Sequence, residues 1–86
     1  MKDIRWSQLK SERLKETRGV SFEEIISAEL VAVKSHPKRT DQNVMIFNLK
    51  GYIWIVPYVE EEDYIFLKTL YPSRKFTKLY RKGELR

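Results

Sequence analysis

Hydrophobic and polar positions along the chain change period several times, and each change marks an element. Residues 64–71 alternate: Tyr64, Phe66, Lys68 and Leu70 fall on one side of a strand, and Ile65, Leu67, Thr69 and Tyr71 on the other. Pro72 has no amide hydrogen to donate and ends that ladder. Ser73 is placed to cap a helix on which Phe76, Leu79 and Tyr80 form one apolar stripe at i, i+3, i+4. Arg74, Lys75, Lys78, Arg81 and Lys82 fill its other faces. A strand thus delivers a dense cationic group to a fixed place, as a phosphate-handling surface requires.

The earlier part of the chain reads in the same way. Residues 3–6 form a short strand with Ile4 and Trp6 as core candidates, and Ser7 caps a helix that Gly19 ends. Ser21 and Glu24 have capping-box spacing, and Val20 with Ile25 is placed as a hydrophobic staple, so a second helix is expected over residues 22–29. From Leu30 the period becomes two, giving a strand that ends near Ser35, then a polar loop over residues 38–43. Residues 44–49 form the next strand, and Lys50-Gly51 is a two-residue hairpin turn. Residues 52–59 are apolar enough for a central strand covered on both faces. Pro57 conflicts with that placement unless a bulge or a ladder end accommodates it. The order is β-α-α-β-β-β-β-α. The expected class is α+β, with two N-terminal helices on one face of a mainly antiparallel sheet of four to five strands and a short C-terminal helix.

Composition narrows the chemistry. Eighty-six residues with 42% hydrophobic and 13% aromatic content suit one small domain. The absence of cysteine rules out disulfides and cysteine-held zinc, and one histidine makes any zinc site improbable, so no metal or cofactor is expected. The first ten residues lack the apolar core of a secretory signal, and the longest apolar run is far short of the roughly 20 residues of a membrane helix. A cytoplasmic protein without membrane contact is expected. A net charge of +5 points to an anionic partner. The cations concentrate at the C-terminal end (Lys68, Arg74, Lys75, Lys78, Arg81, Lys82, Arg86), while the acids gather in the second helix and at Glu60, Glu61, Glu62 and Asp63. That acidic loop is expected to lie away from the basic site.

Three segments carry a family resemblance. Ile4-Arg5-Trp6-Ser7 with Lys10, the block Arg18-Gly19-Val20-Ser21-Phe22-Glu23-Glu24-Ile25, and Pro72-Ser73-Arg74-Lys75-Phe76-Thr77 resemble, in order and spacing, the BrnT family of bacterial toxins. The resemblance implies a RelE/ParE-like fold and a ribonuclease that blocks translation. It also implies a cognate antitoxin, typically a ribbon-helix-helix DNA-binding protein, in a complex that represses its own operon; a dimer or an antitoxin-bridged hetero-oligomer is compatible with this. The chain departs from the family pattern at Arg18, where relatives carry histidine, and over residues 34–41. Roles that relatives assign to those positions do not carry across.

Metal-free RNA cleavage needs activation of a 2′-hydroxyl, cations to stabilise the phosphorane, and a proton for the leaving oxygen. The catalytic candidates are Arg74, Lys75, Tyr71 and His36, and the RNA-binding candidates are Lys68, Lys78, Arg81 and Lys82. Arg74 brings a planar, bidentate guanidinium to the start of a helix, where free amides favour an anion. Its other reading is an ion pair with an acid of the second helix. Lys75 and Lys78 either track the RNA backbone or are solvated helix charges. Tyr71 stacks on a base, donates a proton, or is half-buried core. His36 is the natural proton carrier, its residue type titrating at roughly pH 6.5, or simply a turn residue before Pro37. Lys68 points into a concave site or reaches solvent from the sheet edge. The competing functions are a nucleic-acid binder without catalysis and a protein-interaction module that uses the aromatic-rich sheet edge.

Overall fold

A computed structural model of the chain describes residues 2–35 and 42–84. Its elements are β1 (Asp3–Arg5), α1 (Gln8–Arg18), α2 (Phe22–Ile26), β2 (Glu29–Ser35), β3 (Gln42–Leu49), β4 (Tyr52–Glu60), β5 (Tyr64–Leu67), β6 (Tyr71–Pro72) and α3 (Arg74–Arg81). The class is α+β. The sheet has six strands rather than four or five, in the order β1-β5-β4-β3-β2, with β6 also on β4. It is mixed: β1 runs parallel to β5, and the other pairs are antiparallel.

The N-terminal helices begin where their caps dictate. Ser7 Oγ accepts the amide of Lys10, and Gly19 ends α1 in the left-handed conformation at φ 81°. Ser21 and Glu24 close a reciprocal capping box, and Val20 and Ile25, the two ends of the staple, are both buried in one cluster. The second helix stops at Ile26, one turn short of the expected end, because Glu29 already pairs with Asn48 of β3. Trp6 packs on Phe22 with ring centroids 6.1 Å apart, whereas Ile4, expected in the core, is exposed on the edge strand β1.

Alternation along β3 and β4 sorts the core into two layers. Met45, Phe47, Trp54, Val56 and Tyr58 face α1 and α2 together with Leu14, Phe22 and Ile25. Ile46, Ile53 and Ile55 face the other way and are covered by Phe76, Leu79 and Tyr80 of α3. The central strand β4 is therefore buried on both faces, and the sheet lies between the α1–α2 pair and α3.

Residues 64–71 do not form the single strand that their alternation predicts. The ladder of β5 on β4 runs from Ile65 opposite Glu60 to Leu67 opposite Tyr58, and Lys68 N donates to Pro57 O at 2.9 Å. In β6, however, Tyr71 faces Ile55 and Pro72 faces Trp54. Two residues, Thr69 and Leu70, thus oppose the single Val56, which is a β-bulge. Pro57 explains its position. A strand residue directs its N–H and C=O to the same neighbour, so the amide hydrogen that Pro57 lacks would have faced β5. The irregularity that Pro57 requires appears in the partner strand, one residue further on. As a result Leu67 and Leu70, three apart, both enter the core on the α1–α2 side. The bulge carbonyl of Leu70 accepts a hydrogen bond from the Arg18 guanidinium. The ladder ends at Pro72 as expected, with Pro72 itself its last paired residue, opposite Trp54.

Candidate nucleic-acid interface

The basic surface depends on how α3 is fixed to the sheet. Beyond the end of β6, Ile53 of β4 has no strand partner on that side among the described residues, and the start of α3 takes its place. Ser73 N donates to Ile53 O at 2.9 Å, and Ile53 N donates to Thr77 Oγ1 at 2.9 Å. The Thr77 hydroxyl in turn donates to Ser73 O at 2.6 Å, and Ser73 Oγ caps the helix by accepting the Phe76 amide at 3.1 Å. Thr77 is almost fully buried at 2% exposure. At the far end of α3, Asn48 Nδ2 donates to the Tyr80 hydroxyl at 3.2 Å and to Glu29 Oε1 at 3.0 Å. The helix is held at both ends and along its apolar stripe.

Its outward side carries Arg74, Lys75 and Lys78, which with Leu79 and the C-cap Lys82 line an open groove of about 500 Å³. Among the described residues no carboxylate lines it. The ion pairs among the described residues, Lys2–Glu60, Arg5–Asp3 and Lys15–Glu24, involve no cation of α3. Arg74 does not pair with the second helix, because Glu23 and Glu24 sit across the sheet. There Glu23 takes the Ser11 hydroxyl at 2.5 Å, and Glu24 takes Lys15 Nζ at 2.8 Å. The Lys15 hydrogen bond, helped by the Ser21 amide, holds the Glu24 carboxyl down at about 2. The Ser11 hydrogen bond likewise lowers that of Glu23.

The remaining candidates divide. Arg81 turns away from the groove, its guanidinium donating to Gly51 O at 3.5 Å. Tyr71, opposite Ile55, and Lys68, hydrogen-bonded to Pro57 O, lie by strand alternation on the same sheet face as α3. Both are exposed on the β5–β6 edge beside the start of the helix, and neither lines the groove. His36 lies outside the described residues. The acidic loop is tied to the N-terminus, with Lys2 Nζ 2.8 Å from Glu60 Oε2 and 2.7 Å from Glu61 O. Glu60 is seven residues along β4 from Ile53, roughly 23 Å at the rise of a strand.

A second groove of about 500 Å³ lies between α1 and α2, on the opposite face of the sheet, with Glu12, Glu16 and Glu23 among its lining residues. The molecule thus carries an acidic groove on one side and a basic one on the other. Among the described residues no cluster of three or more His, Cys, Asp or Glu side chains is placed to hold a metal, and no helix is long and apolar enough to cross a membrane. Thr77 and Ser11, the buried polar residues that fix the two helical layers, were not singled out by the sequence. Thr77 has a signal in retrospect: it follows the cap Ser73 by one helical turn, where a hydroxyl reaches the carbonyl four residues back.

No family model, curated protein or solved structure matches this chain.

Proposed function

We propose that the chain is the toxin of a bacterial toxin–antitoxin pair, a cytoplasmic BrnT-like ribonuclease of RelE/ParE-like fold that cuts RNA without a metal. In this reading a cognate antitoxin, of the ribbon-helix-helix DNA-binding kind, neutralises it by covering the basic face. The observation that carries the proposal is the groove on α3: three cations of one docked helix and the lysine at its C-cap, with no acid among the described lining residues. Fixed cations of this kind bind phosphate oxygens and stabilise charge that develops on them. Arg74 takes the phosphate, Lys75, Lys78 and Lys82 hold the backbone on either side, and Tyr71 and Lys68 meet the adjacent nucleotide from the sheet edge. The resemblance of residues 4–7, 18–25 and 72–77 to the BrnT pattern supports the same reading.

One observation favours a second reading. Among the described residues the groove lining consists of cations and Leu79, which grip an anion but offer no base at neutral pH, so the same surface serves a nucleic-acid binder that does not cut. Tightly induced expression in a bacterium separates the two. Growth arrest with loss of RNA, relieved by Arg74→Ala in a folded variant, is the expected result. Normal growth with folded protein that retains RNA in a binding assay would assign the groove to binding alone.

A further inference from the structure

The outer edge of β2 carries a self-complementary pattern centred on Leu30 and Val33, which belong to neither buried cluster, and flanked by Glu29, whose carboxylate also accepts from Asn48. Among the described residues β2 closes one side of the sheet, and one row of its backbone N–H and C=O groups has no described strand beside it. Leu30 and Val33 on this strand are 50% and 53% exposed. In a regular strand, residues three apart point to opposite faces and to opposite edges. Here the register slips between Leu30, opposite Phe47, and Ala32, opposite Ile46, so Val31 is bulged. The bulge puts Leu30 and Val33, opposite Phe47 and Met45, on the same face.

Backbone direction follows from the same registers. Ile53 and Pro57 make their hydrogen bonds on the β5–β6 side of β4, so Trp54, Val56 and Tyr58 between and beyond them turn to β3. Their partners Phe47, Met45 and Asn43 turn to β4, and Val44, Ile46 and Asn48 turn to β2. Lys34, Ala32 and Glu29 therefore direct their backbone groups inward to β3, and Leu30 and Val33 direct theirs outward.

We propose that this edge pairs with a second copy of the chain, antiparallel about a two-fold axis between Val31 and Ala32. In that register Leu30 of one copy faces Val33 of the other, and their outward N–H and C=O groups exchange hydrogen bonds on both sides of the axis. The two exposed apolar side chains cover each other. Glu29 faces Lys34 of the other copy in the flanking non-hydrogen-bonded pairs, where side chains approach most closely. Apolar and charged positions are thus complementary in one register, as an isologous contact requires. The axis is normal to the sheet, so the two six-stranded sheets become continuous and both α3 grooves face the same side. The net +5 of each chain opposes association, but charges beyond about 8 Å are largely screened at physiological salt.

Light scattering on the full chain tests this from about 10 to about 500 µM, where mass action reveals a weak dimer. The expected result is a rise from 10.4 kDa toward twice that mass. Val33→Lys, on an exposed side chain, is expected to hold the chain monomeric with unchanged circular dichroism. Glu29→Lys and Lys34→Glu alone each place like charges across the axis and raise the midpoint concentration about tenfold, and the double variant restores it. A chain that stays monomeric throughout overturns the proposal and leaves the edge to a partner of other sequence. A dimer indifferent to Val33→Lys, or one the double charge reversal fails to restore, overturns the register.

Discussion

Ile53 sends both of its backbone polar groups into the start of α3, and a single threonine hydroxyl completes the arrangement. Thr77 accepts the buried Ile53 amide while donating to Ser73 O, so it joins helix to strand just past the end of β6. Thr77→Val keeps the shape and removes the acceptor, leaving the amide unsatisfied at an expected cost of about 1–3 kcal/mol. Urea denaturation measures this, and a loss within about 0.5 kcal/mol of zero would show that the hydroxyl does not anchor α3. Glu24 gives a second prediction, in pH. Its carboxyl lies at about 2 in the folded chain against 4.5 ordinarily. A depressed folded value contributes stability above the unfolded value and loses it as pH falls toward the folded one. The difference in Tm between the chain and Glu24→Gln should therefore be full near neutrality and shrink between about pH 4.5 and pH 2. Because Lys15 and Glu24 are both exposed, added salt should narrow it too. A difference that is flat across that window would mean that Glu24 acts through shape and not through charge.

At the scale of elements, what could be read from the residues was whatever a local contact decides. The Ser21–Glu24 capping box, the Gly19 stop and the Ser73 cap each involve groups within four residues of one another, and each falls where its spacing puts it. The hairpin at Lys50 and Gly51 is of the same kind. Both residues take positive φ, 54° and 88°, as a two-residue turn of the favoured hand demands. What escaped the sequence was decided across strands. Alternation over residues 64–71 implies an unbroken strand, but Pro57 on β4 withholds an amide hydrogen from it. The bulge at Thr69 and Leu70 then inverts the alternation, so Leu70 and Leu67 share a face. Pro57 marked the conflict without telling which strand would absorb it. β2 repeats the lesson: Val31 looks like an ordinary member of an alternating run until its register with β3 shows two residues against Ile46. Side chains of the candidate site followed suit. Arg74, Lys75, Lys78 and Lys82 could be grouped from helical spacing alone, whereas the turn of Arg81 toward Gly51 required the hairpin to be in place.

For the whole molecule the consequence is two grooves of unlike charge on opposite faces of the sheet. The sheet stands between an acidic groove on α1 and α2 and a basic one on α3, and the Glu60–Asp63 loop is drawn to Lys2 at the far end of β4. Electrostatics therefore favours an anion in the α3 groove over the α1–α2 groove. If α3 provides the contact surface, the number of phosphates neutralised is set by the groove and not by the net charge of +5. Each single-strand phosphate contact contributes about 0.7 to the slope of log K against log salt, so the four groove cations predict a slope of roughly −3 for a short single-stranded RNA. Lys78→Ala should make it less steep by about 0.7, and Arg81→Ala should leave it unchanged because that guanidinium serves the hairpin carbonyl. Fluorescence anisotropy across a salt series reads all three. A slope near −5 with equal losses for Lys78→Ala and Arg81→Ala would mean that RNA follows the overall charge, and the α3 groove would lose its special standing. A slope near −3 that only the groove residues change would tie binding to the one helix that Thr77 and Ser73 hold in place.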